Sequence, residues 1–204
     1  MDCRTQIITP SYFAPISHWK KICEGKVLWE VNENFIKQSL RNRLKICGPN
    51  KVLKLVIPIK HKKKKFTIGE AIIDNNESWQ NDHWRSIKFS YNSSPFYEYY
   101  KDELNFIYNT KYEKLIDFNF DCIKLVFKWL RLDFKLNKTK LYIKTYNEFD
   151  DLRKMSNKTF NDRFQGKKYI QVFSKKHGFI NNLSISIYAP HNAYNIDVCN
   201  NCFV

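Results

Sequence analysis

The chain has 204 residues, a net charge of +15, and 43% hydrophobic and 16% aromatic content, the make-up of one globular domain rather than of a disordered chain. No apolar run approaches the roughly 18–20 residues that a membrane-spanning helix needs, and the opening Met1-Asp2-Cys3-Arg4-Thr5-Gln6 lacks the apolar core of a signal peptide. The six cysteines therefore read as reduced thiols, and a cytoplasmic location is expected.

Thr5 to Thr9 reads as a short buried strand stopped by Pro10. A loop held between Pro10 and Pro15 follows, then a helix from Ile16 to Glu24 ended by Gly25. Val27 to Val31 reads as a second strand, so the chain opens as a strand–loop–helix–strand unit of an α/β sheet. Ser39 to Cys47 and Lys51 to Ile59 flank Gly48-Pro49-Asn50 and predict a β-hairpin, with Pro58 confining the second strand to an edge or an end. From Asn76 to Leu132 the period becomes helical. Trp84, Ile87 and Tyr91 form one apolar stripe, and further helices are expected over Phe96 to Tyr108 and Leu115 to Leu132. After a polar stretch from Asn147 to Gly166, Tyr169 to Phe173 reads as a last strand. The expected architecture is α/β: a mixed sheet with a β-hairpin and a helical half following it.

Arg41-Asn42-Arg43 is the stretch most suggestive of chemistry. Lysine outnumbers arginine 28 to 7 in this chain, so two arginines this close stand out. Read as a strand, the pair would point both guanidiniums to one face, where two planar forks suit a carboxylate or phosphate better than lysines do. The plainer reading is a solvated hairpin strand. The densest charge run is Lys60-His61-Lys62-Lys63-Lys64-Lys65. It would attract polyanions with strong salt dependence, but it lacks interleaved aromatics for stacking bases.

The five glycines lie apart, at 25, 48, 69, 166 and 178. That spacing excludes a Walker loop and a dinucleotide fingerprint, both of which cluster glycine against phosphate. His18 follows the first strand, near its carboxyl end, where open α/β sheets place ligands. His83 shares a helical face with Trp79. Each is a candidate general base, and each is equally readable as a packed histidine. Cys199 and Cys202 have zinc-ligand spacing but lack a matching second pair, so no metal site is expected. No particular cofactor is indicated. Phe13-Ala14-Pro15-Ile16-Ser17-His18 faintly resembles a nucleotidyltransferase loop, without its aspartate and with altered histidine spacing.

Several segments together resemble the WbqC-like family. They are Thr9 to Trp19, with its Pro-x-Tyr-Phe-x-Pro loop; Phe35 to Arg43; Leu55 to Ile59; His83 to Ile87; Ser93 to Tyr100; and Gln171 to Phe173 with Asn182 to Ile185. The resemblance spans about residues 6–185. It implies a single α/β domain over residues 1–185, with a divergent tail over 186–204 where relatives carry an acidic, leucine-rich helix. It also implies transfer of an aminoacyl group such as glycine, or of an acyl group, onto an amino sugar in lipopolysaccharide or other surface-polysaccharide assembly. On that expectation Arg41 and Arg43 hold an anionic substrate such as a sugar nucleotide, with Tyr12 and Trp84 beside it. Asn42 orients the acceptor, and His18 or His83 takes its proton. The rival expectation is a non-catalytic basic module that binds RNA or anionic membrane, including nonspecific contact with nucleic acid.

Overall fold

The computed structural model describes residues 4–61, 64–157, 171–181 and 183–184. The first strand, β1 (Thr5–Ile8), runs into a loop that ends at Pro15, and helix α1 (Ile16–Cys23) starts directly after that proline. Proline fits this boundary because its fixed φ suits extended backbone just before a helix. β2 (Lys26–Trp29) then returns parallel to β1, in register from Thr5 opposite Lys26 to Ile8 opposite Trp29. Gly25 sits at the helix-to-strand corner. A Cβ there would lie 2.9 Å from the Arg4 carbonyl and 3.0 Å from Gln6 Nε2, so close approach, not an unusual φ, demands glycine.

β1 is the middle strand of a three-stranded parallel sheet in the order β2, β1, β5. β5 is only Asp150–Asp151, inside the stretch that the sequence reads as polar and featureless. It pairs with Gln6 and Ile7. Beyond β2, the segment around Lys138 bridges to Trp29.

The hairpin is β3 (Arg43–Cys47) with β4 (Val52–Val56), a separate antiparallel pair. Parallel and antiparallel pairing thus occupy different sheets. Leu44 and Ile46 point into the core opposite Leu55 and Leu53, which leaves Arg43, Lys45 and Lys54 on the other face. Lys45 and Lys54 stand directly opposite one another. Both strands are shorter than expected, because Ser39 to Asn42 forms a turn that precedes β3.

The helical half comprises α2 (Trp79–Tyr91), α3 (Tyr97–Asn109) and α4 (Leu115–Trp129). The α2 stripe buries Trp79, His83, Ile87 and Tyr91. α4 is buried on nearly every side, which matches a sequence apolar all round. Its Phe118 ring is fully buried, with the rings of Tyr12, Trp79 and Tyr112 at 5.1–5.2 Å between centroids, two of them edge-on and the third at 60°. Edge-on packing is the favoured geometry for aromatic rings and adds to the apolar area buried. Among the described residues, no helix is long and apolar enough to cross a membrane.

The expected last strand is not seen where the structure describes it. Residues 171–173 form a turn into a short helix, α5 (Ser174–His177), with Phe173 in the left-handed region at φ 59°. Tyr169 and Ile170 lie outside the described residues, as do Cys199 and Cys202.

Phe118→Ala should cost about 3–5 kcal/mol, as for other fully buried aromatic rings. Urea unfolding of the variant against the parent protein measures it, and a loss under about 1 kcal/mol would mean that α4 is not the centre of the core.

Candidate functional site

Two polar regions flank the 33–43 segment, one closed and one open. The closed region lies past the carboxyl ends of β1 and β2. The Arg41 side chain is fully buried there. Its Nη2 donates to Glu33 Oε2 at 2.6 Å and its Nη1 to Asn157 Oδ1 at 2.8 Å. Thr9 Oγ1 donates to the same Glu33 oxygen at 2.8 Å. Asn119 of α4 donates from Nδ2 to the Arg41 carbonyl at 2.9 Å. Ser11 and Ser156 share a hydrogen bond of 2.8 Å, tying the loop after β1 to the turn after β5.

A second buried ion cluster adjoins it. The Glu30 carboxylate, at the end of β2, accepts from Asn32 N–H and from Thr139 Oγ1. Arg153 Nη1 lies 3.5 Å from its other oxygen. Arg153 is also held by Asp151 and by the carbonyls of Ile143 and Lys144. Its guanidinium lies over both the Tyr142 and Tyr146 rings at 5.2 Å. The hydrogen bonds to Asp151 hold that carboxyl below the usual carboxylate range.

The open region is a cleft of about 260 Å³ between the 35–43 segment, the exit of β4, residues 59–61 and Phe66. Backbone pairing builds its walls. Phe35 N–H donates to the Phe66 carbonyl and Ile68 N–H to the Glu33 carbonyl, each at 2.9 Å. Ile57 N–H donates to the Asn42 carbonyl, while Asn42 Nδ2 donates back to the Ile57 carbonyl, both at 2.9 Å. This reciprocal clamp fixes Asn42 in place. Its Oδ1 and the Arg43 Nε are buried without a hydrogen-bond partner. The rings of Phe35 and Phe66 stack at 5.5 Å and 12° to give an apolar wall. Lys37, Gln38, Asn42, Arg43, Lys60 and His61 supply the polar lining, and among the described residues none that lines the cleft is acidic.

Of the residues singled out from sequence, Asn42 and Arg43 line this cleft, and Tyr12, His18, Arg41, His83 and Trp84 do not. Arg41 and Arg43 do not form the expected pair of forks. Arg41 belongs to the turn and Arg43 opens the strand, so the period-two argument does not apply across them. Arg41 is committed to Glu33, whereas Arg43 makes no ion pair among the described residues. Trp84 stacks between Tyr97 and Tyr108.

Both candidate bases are buried. His83 Nδ1 lies 2.9 Å from the Tyr12 hydroxyl, which is 2.6 Å from the Tyr108 hydroxyl. Burial lowers His83 to a pKa of about 4, with the Val56 backbone carbonyl and Asp82 opposing. The Tyr12 hydroxyl thus bridges the His83 ring and the Tyr108 hydroxyl in one buried chain. Burial pushes both tyrosines well above their ordinary range, so all three groups are neutral. His18, in the first turn of α1, is likewise lowered to about 4 by burial. Sequence reading placed His61 in a solvated charge run and passed it over as a base. Its one signal was closeness to the strand expected over Lys51 to Ile59, and no periodic pattern marks it.

These placements make two predictions. Both histidines are neutral in the folded chain, and each binds a proton near its ordinary pKa of 6.5 once unfolded. Stability should hold above that pH and fall as the pH drops from 6.5 towards 4, by about 3 kcal/mol per histidine. Urea unfolding on both sides of that window checks it, and a flat profile would contradict the burial of these rings. Arg41→Lys should destabilise the fold by roughly 1–3 kcal/mol, because one ammonium cannot reproduce the fork that serves both Glu33 and Asn157. A thermal melt measures this without any substrate.

No curated protein and no solved structure matches the chain. The model of the WbqC-like protein family matches residues 10–182, a span that includes the Arg41 network except Thr9, the cleft and all three helices of the helical half. The chain belongs to the WbqC-like protein family.

Proposed function

We propose that this protein is a transferase that moves an aminoacyl or acyl group onto an amino-sugar intermediate of lipopolysaccharide or surface-polysaccharide synthesis. Family membership over residues 10–182 supports this reading, and we locate the reaction in the cleft. An acceptor amine arrives as an ammonium and must lose a proton before it attacks the acyl carbonyl. As the new C–N bond forms, the bond to the leaving group breaks and that group departs with the electron pair. The base must reach solvent and substrate together. His61 is exposed on the cleft, and imidazole is the side chain suited to proton exchange near neutrality. We therefore assign it the proton-accepting role ahead of His18 and His83, whose buried rings serve the core. Asn42 holds the cleft's geometry, and Arg43 faces the anionic part of the substrate.

The assay is incubation of the protein with nucleotide-linked amino sugars and acyl or aminoacyl donors, read by mass spectrometry as a mass gain on the sugar. His61→Gln should lower the rate about 10²–10⁴-fold, the usual worth of a positioned general base. Full activity in His61→Gln, with loss in a folded His83→Gln, would return the role to the buried histidine.

The second reading is a basic binding module for RNA or anionic membrane, favoured by the +15 charge and by the lysine run from Lys60 to Lys65 in the sequence. It predicts affinity for many polyanions that collapses as salt rises, with no group transferred.

A further inference from the structure

We propose that the cleft is a subsite for a diphosphate ester, with Arg43 as its anchoring ligand. The inference rests on the transferase reading for its biological setting, but its chemistry comes from the cleft alone. Arg43, Lys37 and Lys60 converge on one small cavity. Among the described residues none of them makes an ion pair, and no acidic side chain lines the cavity to balance them. Arg41 differs: both of its Nη atoms are taken, by the Glu33 carboxylate and the Asn157 side-chain amide, although its Nε is left without a partner. Uncompensated cations that share a cavity repel one another, and a bound polyanion removes that repulsion.

Two orphaned atoms point the same way. The Arg43 Nε and the Asn42 Oδ1 are buried with no protein partner, a state that costs free energy in a native structure and calls for an explanation. Asn42 cannot turn to satisfy itself, because its Nδ2 is fixed on the Ile57 carbonyl. The arrangement offers a guanidinium donor to a phosphate oxygen and an amide acceptor to a neighbouring hydroxyl. A sugar diphosphate carries that pair of groups side by side.

Size narrows the ligand further. At about 260 Å³ the cleft falls just below the usual range of about 300–1,000 Å³ for whole ligands. It therefore seats the diphosphate and one ring against the Phe35–Phe66 wall, while the remainder of the molecule lies outside. That remainder could be a nucleoside or a lipid, and the shared chemistry is the diphosphate.

The test is isothermal titration of the full chain with pyrophosphate, UDP, UDP-N-acetylglucosamine, farnesyl diphosphate and uridine, at about 50 mM and about 200 mM salt. The diphosphates should bind and uridine should not. Arg43→Gln should weaken diphosphate binding about tenfold to a hundredfold, as loss of a charge-assisted hydrogen bond does. Arg85→Gln, which alters a helix charge away from the cleft, should change nothing. If Arg43→Gln fails to fold, the exposed Lys37→Gln/Lys60→Gln pair replaces it, with a loss of similar size expected. UDP binding tighter than farnesyl diphosphate assigns a nucleotide-linked ligand, and the reverse order assigns a lipid-linked one. Absence of diphosphate binding, or equal binding by the parent and the cleft variants, would overturn the proposal. Diphosphate binding without any group transfer would keep this subsite and sink the transferase reading alone. Transfer that is indifferent to Arg43, Lys37 and Lys60 would do the opposite.

Discussion

The buried contact between Arg41 and Glu33 is the constraint on which the rest of the molecule depends. A guanidinium with no exposed surface needs its charge matched, and the partners of its two Nη atoms come from distant parts of the chain. Glu33 also takes the Thr9 hydroxyl from the end of β1, and Asn157 brings in the turn after β5. The backbone of the same turn is held from both sides. Tyr12 N–H donates to the Leu40 carbonyl, Leu40 N–H donates to the Ser156 carbonyl, and Asn119 reaches in from α4. The parallel sheet, the central helix and the hairpin are therefore referenced to one turn. That turn is also a wall of the cleft, so its rigidity is passed directly to Asn42 and Arg43.

Much of the fold was legible in the sequence because the signals were local. Pro15 and Gly25 bracketed α1, the Gly48-Pro49-Asn50 turn gave the hairpin, and apolar spacing gave the three long helices. The misses were tertiary. Ser39 to Asn42 looked like strand because it continues the run into Leu44, yet Arg41 leaves the strand to meet Glu33. β5 is two aspartates, a sequence that no strand propensity favours, held to β1 by pairing with its neighbours. The strand expected over Tyr169 to Phe173 rests on a run of β-forming residues, but its described part ends in a left-handed Phe173, which composition does not reveal.

The candidate site was legible in part for the same reason. Arg43 was visible as an unusual residue in a lysine-rich chain, and Asn42 only as its neighbour. Arg41 was equally unusual, but rarity cannot tell a ligand-facing arginine from one that organises a core. The family resemblance singled out Tyr12 and the shared helical face with Trp79 singled out His83, and Phe13 and Trp79 are among the rings that pack against them. His61 carried no such company, which is why it remained on the surface and why pattern reading did not favour it.

The facing lysines of the hairpin, Lys45 on β3 and Lys54 on β4, have a consequence apart from any ligand. Like charges opposite one another weaken a two-stranded pair slightly. Among the described residues β4 pairs with β3 alone, so its outer edge offers unmatched backbone groups to any strand that approaches. The exposed Lys54 and the adjoining Pro58 sit along that edge, the one by charge and the other by a missing N–H making it a poor template. A small loss of hairpin stability is thus exchanged for colloidal safety: copies of the protein crowded together are kept from zipping edge to edge into larger sheets.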